Sequence, residues 1–257
     1  MDYKKILKNF DEEEIKKLAK NQDKDGGNLF FYALYCNKIY NLNINEKKFD
    51  FLIKNSDLNQ ADREKNSALM IAIRQQNHDK NLNDRQFDYL LKNCNLKQIN
   101  TFKQDALMLL LAFCARNKTW EITNDHWDYL INNSDLTFMN IDGTSSAMIA
   151  LTFSKLTNLN LKENQWDKLI NSIDINNPIS NKKAIFSELL ELKEELKEKL
   201  LMRIFKQEPE LKKITSKIKK TKLIQEKKII EVIENYYTKE QIKEIVAGGI
   251  NTKSNKI

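Results

Sequence analysis

Aromatic and paired apolar positions recur along this chain at nearly constant intervals. The stretch FDFLIKNSDL at 49–58 returns as FDYLLKNCNL at 87–96, as WDYLINNSDL at 127–136 and as WDKLINSIDI at 166–175. Counted from Phe49, Phe87, Trp127 and Trp166, the intervals are 38, 40 and 39 residues. A period of this size marks a stacked repeat array. Five residues before each aromatic stands an apolar residue: Ile44, Leu82, Ile122 and Leu161. Four before it stand Asn45, Asn83, Thr123 and Lys162. Asn and Thr accept hydrogen bonds from the free N–H groups of a first helical turn, so these positions predict N-caps. The apolar pair then falls at N′ and N4, the hydrophobic staple. Lys162 breaks the pattern, and the helix start there is expected to be the least well defined.

The rest of the unit follows helical periodicity. Asp50, Asp88, Asp128 and Asp167 lie early in the helix, where the macrodipole favours a negative charge. Asp50 and Asp88 also have Lys54 and Lys92 at i+4. Leu52-Ile53, Leu90-Leu91, Leu130-Ile131 and Leu169-Ile170 continue the buried stripe. Asn55, Asn93 and Asn133 then read as left-handed helix ends, while Ser172 departs. The template reaches back to Phe10, Asp11, Glu14 and Ile15, and forward to the Tyr237–Ile242 segment with a Gly248 stop. A second, apolar helix precedes each of these. Its expected starts are Leu29, Ala68, Ala106, Ala147 and Ala184, and the recurring Ala suggests close helix contact.

Residues 62–72, Asp62-Arg63-Glu64-Lys65-Asn66-Ser67-Ala68-Leu69-Met70-Ile71-Ala72, resemble the first part of the ankyrin repeat. Lys65 stands where that family has Gly, and Met70 where it has His. Residues 52–59 are similar to the repeat's last part, with Asn55 in place of the usual Gly, and Asp23-Lys24-Asp25-Gly26 keeps the Gly. The unit of 37–41 residues exceeds the family's period of about 33. The surplus is expected between the helices, as in 74–82. The resemblance covers roughly residues 10–186. It implies an all-α, ankyrin-like helical repeat solenoid, closed by a C-terminal helical cap.

The expected organisation is therefore a repeat array over 1–183, a helical and basic C-terminal region over 184–250, and a disordered tail over 251–257. Helices are expected at 184–206 and 211–234. Residues 211–228 hold eight Lys against one Glu, and the whole chain carries +7. The basic stretch, with Lys212, Lys213, Lys217, Lys219, Lys220 and Lys222, reads either as a solvated helix face or as a strip for nucleic acid, an acidic protein or a membrane surface. It lacks interleaved aromatics, which argues against base stacking. The 31 Asn and the Lys/Ile excess match AT-rich codons, so the charge is weak evidence for a nucleic-acid partner.

Composition removes other classes. Five Gly and two Pro are too few for a turn-rich β fold or a phosphate-cradling loop. The longest apolar run, 106–115, is too short to span a bilayer. The start, Met1-Asp2-Tyr3-Lys4-Lys5, reads as no secretory leader. Cys36, Cys94 and Cys114 show no CxxC spacing and read as reduced, mostly buried thiols. Cys94 falls where sister units have Ser56 and Ser134. The histidines are His78, expected in an inter-helix loop, and His126, at N3 of a helix. Neither has metal-ligand spacing. The recurring Asp residues would lie about a repeat apart, near 10 Å, too far to share a proton or an ion. The WD pairs at 127 and 166 open helices and do not signal a propeller. No catalytic residue, metal or cofactor is assigned.

Function is then expected in residues that differ between units. Arg63 and Glu64, Phe102 and Lys103, and Phe138 and Met139 are placed on inter-repeat turns; Arg74, Arg116 and Trp120 are placed just after the first helix of their units. An aromatic on an exposed turn is a hot-spot candidate. The alternative is that Phe102 and Phe138 tuck under the neighbouring unit. The leading expectation is a non-enzymatic scaffold that binds another protein, cytoplasmic or delivered into a host cytosol, such as an effector or adaptor of a host-associated microbe. Alternatives are binding of nucleic acid or an acidic partner through 211–228, and a regulatory subunit or enzyme with an unrecognised site.

Overall fold

The structure, a computed structural model, describes residues 2–173 apart from 38–39, 41, 80–81, 117–121 and 155–158, together with Met202. The C-terminal region of 184–250 and the tail of 251–257 thus lie outside the described residues, Met202 excepted. The described chain is all-α, with ten helices and one isolated β-bridge: α1 (Tyr3–Asn9), α2 (Glu12–Leu18), α3 (Leu29–Cys36), α4 (Glu46–Asn55), α5 (Ala68–Asp79), α6 (Asp84–Asn93), α7 (Ala106–Arg116), α8 (Asn124–Asn133), α9 (Ser146–Ser154) and α10 (Glu163–Ser172). None is long and apolar enough to cross a membrane.

The helices lie in two rows. Each odd-numbered helix packs on the next, α1 on α3, α3 on α5, α5 on α7 and α7 on α9. The even-numbered helices pack against their odd partners from α3–α4 onward, and against neighbours in their own row. This explains two kinds of sequence. The odd helices are enclosed by neighbours on both sides and by the even row, so α3, α7 and the first half of α5, residues 68–73, are apolar nearly all round. The even helices bury one stripe only. Phe49, Phe87 and Trp127 are buried, with Leu52-Ile53, Leu90-Leu91 and Leu130-Ile131 beneath them. Trp166 is half-buried.

The cap positions hold. Asn45, Asn83 and Thr123 accept from the N–H of Lys48, Gln86 and His126. Asp11 likewise caps α2 by accepting from Glu14. Lys162 has no acceptor to offer, yet α10 starts in register, because Gln165 Oε1 reaches back to the Lys162 N–H at 2.8 Å.

The structure corrects several expectations. Asn55, Asn93 and Asn133 end their helices but are not left-handed. Their side-chain amides instead donate back to the carbonyls of Phe51, Tyr89 and Tyr129, one turn earlier, at 2.7, 2.8 and 2.7 Å. The surplus residues of 74–79 prolong α5 rather than forming a loop, so Arg74 and His78 are helical, and Arg116 is the last residue of α7. The ninth helix begins at Ser146, not Ala147, which restores an interval of 40 from Ala106. Ser146 occupies the small-residue position of Ala68 and Ala106. The first helix, α1, was not anticipated: its seven residues carry no copy of the repeat signature.

Candidate interaction surface at the hairpin tips

Three connections of equal length join an even helix to the next odd one, at 56–67, 94–105 and 134–145. Each contains a five-residue hairpin, and a fourth precedes α3. The hairpins are 23–27, 62–66, 100–104 and 140–144. In each, the backbone N–H of the first residue donates to the carbonyl of the fifth, as Asp23 to Gly27, Asp62 to Asn66, Asn100 to Gln104 and Asn140 to Thr144. The first residue's side-chain oxygen accepts from the fifth residue's N–H at 2.8–2.9 Å. That Asx geometry explains why Asp or Asn opens every hairpin. The fourth residue is left-handed in all four: Gly26 (φ 78°), Lys65 (63°), Lys103 (52°) and Gly143 (71°). A Cβ on Gly26 would meet the Ala61 carbonyl at 2.8 Å.

The last three hairpins are joined through their backbones. Thr101 N–H donates to the Glu64 carbonyl at 2.8 Å, and Ile141 N–H to the Phe102 carbonyl at 3.2 Å. Gln98 Nε2 adds a bond to the Lys65 carbonyl at 3.1 Å. These three tips therefore form one continuous edge. Along it Arg63, Glu64, Lys65, Phe102, Lys103 and Ile141 are exposed, Phe102 at 46% and Ile141 at 56%. Glu64 is paired: its carboxylate accepts from Arg74 Nη1 at 3.1 Å and from Asn66 Nδ2 at 3.3 Å. Beside it the Tyr35 hydroxyl donates to Asp62 Oδ2 at 3.1 Å, and burial and then Asp62 push that phenol well above its usual range.

Of the sequence candidates, Arg63, Glu64, Phe102 and Lys103 come together on this edge, with Arg74 behind Glu64. Phe138 and Met139 do not reach a tip. Phe138 is half-buried against the core, and Met139 forms the isolated antiparallel bridge with Ser145. Their hairpin opens only at Asn140, so Ile141 is the exposed apolar residue there. The Asn140/Gly143 spacing, matching Asp23/Gly26, carried that signal. Trp120 and the basic residues Lys212, Lys213, Lys217, Lys219, Lys220 and Lys222 lie outside the described residues.

Other candidate chemistry is structural where described. Burial pushes the Cys94 and Cys114 thiols up to about 12, so neither is a nucleophilic thiolate near neutrality. The recurring Asp joins neighbouring even helices. Gln86 Nε2 donates to Asp50 Oδ1 at 2.8 Å and to the Glu46 carbonyl at 3.0 Å. Gln165 Nε2 repeats this with Asp128 at 3.0 Å and the Asn124 carbonyl at 3.1 Å. At the joint between them His126 replaces Gln. Its Nε2 stands 4.0 Å from Asp88 Oδ1, and its ring packs edge-on to Phe87. Burial lowers the His126 pKa against the opposing pull of Asp88, Asp84 and Asp125. A cleft of about 170 Å³ lies between α4 and α6, over Ile53, with Arg85 bonded to Asp50 and Lys92 to Asp88 at its walls. Among the described residues no three His, Cys, Asp or Glu side chains gather as a metal site requires. Compared with known proteins, the chain matches no family model, no curated protein and no solved structure.

Proposed function

We propose that residues 1–183 form an ankyrin-like array of stacked repeats, and that the chain is a non-enzymatic scaffold binding another protein along its hairpin tips. The observation that carries this reading is a division of labour between recurring and varying positions. Those that recur close hairpins, cap helices or join neighbouring helices: Asp62, Asn100 and Asn140; Asn45 and Asn83; Asp50 with Gln86. Those that vary, Arg63, Phe102, Lys103 and Ile141, stand exposed on one edge. Repeat arrays recognise partners through variable positions on a constant frame, and exposed aromatics at such positions act as anchors. Cysteines that are free in the structure suit a reducing compartment, cytoplasm or host cytosol.

A photo-cross-linking residue placed at 102 in the full chain is expected to give a discrete protein adduct in the native cell. The same residue at Lys47, exposed on α4, is expected to give none. Adducts from position 47 alone would move the interface to the even helices and reject this reading. A second reading rests on the eight Lys of 211–228, which would bind nucleic acid or an acidic partner. Replacing Lys212, Lys213, Lys219 and Lys220 by Ala should then abolish a salt-sensitive interaction; an unchanged one rejects it.

A further inference from the structure

Two lysines stand where the fold asks for glycine. Hairpins 23–27 and 140–144 place Gly26 and Gly143 at the left-handed fourth position, whereas 62–66 and 100–104 place Lys65 and Lys103 there. A side chain in that conformation is strained, and such strain persists where something else requires the residue. Nothing within the described fold does. Both lysines are exposed, and among the described residues neither ammonium has a hydrogen-bond or ion-pair partner. The Arg63 guanidinium, exposed on the same hairpin as Lys65, is likewise unpaired; of the two carboxylates on that hairpin, Glu64 pairs with Arg74, and the half-buried Asp62 is taken up by Asn66 and the Tyr35 hydroxyl. The backbone bond from Thr101 to Glu64 makes the two lysine-bearing hairpins direct neighbours, and the bond from Ile141 to Phe102 sets two exposed apolar side chains beside them. Asp25 and Asp142, on the outer hairpins, bound the cationic stretch on either side.

We infer that this strip of Arg63, Lys65, Lys103, Phe102 and Ile141 docks an acidic protein segment, whose carboxylates face the two central hairpins and whose apolar side chain covers Phe102 and Ile141. The inference rests on the protein-binding reading above and names the partner's chemistry. Charge complementarity selects a polyanion, and a single aromatic paired with the aliphatic Ile141, rather than a row of aromatics on which successive bases stack, favours a peptide over a nucleic acid.

The test uses the full chain and a fluorescent peptide of about a dozen residues, rich in Asp and Glu around one Leu and one Phe, followed by anisotropy at about 0.15 M salt. Lys65→Gly with Lys103→Gly removes two charges and the backbone strain together. Its melting temperature should hold or rise by a few degrees, while peptide affinity falls roughly tenfold and depends less steeply on salt. Phe102→Ala should weaken binding several-fold at every salt concentration. A version of the peptide with Gln and Asn for its acids should bind the wild type no better than the double variant binds the acidic one. Loss on Phe102→Ala with none on the double Gly variant rejects the acidic partner and leaves the protein-binding edge standing. Loss in neither, or only when Lys212, Lys213, Lys219 and Lys220 become Ala, rejects both. An oligonucleotide of equal charge that competes regardless of Phe102 assigns the strip to nucleic acid, and failure of the wild type to bind the acidic peptide saturably overturns the inference.

Discussion

Asp105 shows how one position in a repeat departs from what burial tolerates. It caps α7 by accepting from the Met108 N–H at 2.7 Å, as Asn28 caps α3 through the Phe31 N–H. Asn28 is a neutral cap; Asp105 is a carboxylate that is 2% exposed. Burial raises its pKa to about 6, against the lowering effect of the Met108 and Leu107 N–H groups. The folded value lies above the unfolded one of about 3.9. The ionised form therefore destabilises the fold above pH 6, and the penalty fades as pH falls toward 4. Asp105→Asn is expected to raise stability at pH 7 by up to about 3 kcal/mol. Urea titrations at pH 7 and pH 4.5 check the sign: the gain must shrink at the lower pH.

At the scale of the helix and hairpin, the even helices were legible in the sequence almost to the residue. Asn45, Asn83 and Thr123 are caps whose chemistry is local, so spacing alone finds them. The odd helices were legible as apolar blocks, but their limits were not. Nothing in Arg74-Gln75-Gln76-Asn77 stops a helix, and the reading as loop relied on the shorter ankyrin period, whose surplus a longer helix absorbs equally well. The hairpins were half legible: Arg63, Phe102 and Lys103 were placed correctly, whereas Phe138 attracted attention as an aromatic although Asn140 and Gly143 set the turn. The bonds between even helices could not be read at all, because Gln86 and Asp50 are 36 residues apart. His126 tests that joint. Its folded pKa is lowered, so its contribution is complete above the unfolded value of about 6.5 and is lost as pH falls through the folded value. His126→Gln, the residue of two sister units, should restore a bond to Asp88 and flatten the melting temperature between pH 7.5 and 5.5. A profile as steep as that of the wild type would show that His126 is not the titrating group.

At the scale of the described molecule, the main helix contacts are between near neighbours. Each odd helix packs on the one before and the one after, and the described core is a chain of such contacts rather than a sphere. If the chain is the repeat array proposed above, its stability is the sum of unit terms and neighbour terms, and local openings need not be global. Trp127→Ala removes the largest fully buried side chain among the described residues and should cost about 3–5 kcal/mol. Hydrogen exchange should then report lost protection in α7 to α10, with α3 and α4 far less affected. Equal loss along the whole array would mean that it folds as one cooperative block.

The joint at His126 also has a mechanical meaning. Between α4 and α6, and between α8 and α10, a glutamine ties the even row with two short bonds. Between α6 and α8 the corresponding gap is 4.0 Å. On the opposite side of that joint, hairpins 62–66 and 100–104 are held by the bond from Thr101 to Glu64 and by Gln98. The joint between α6 and α8 thus rests on packing, with His126 edge-on to Phe87, where its two neighbours rest on hydrogen bonds. Lys65 and Lys103 stand on the two hairpins that the Thr101 bond joins. A ligand bridging them would add a second tether between these hairpins.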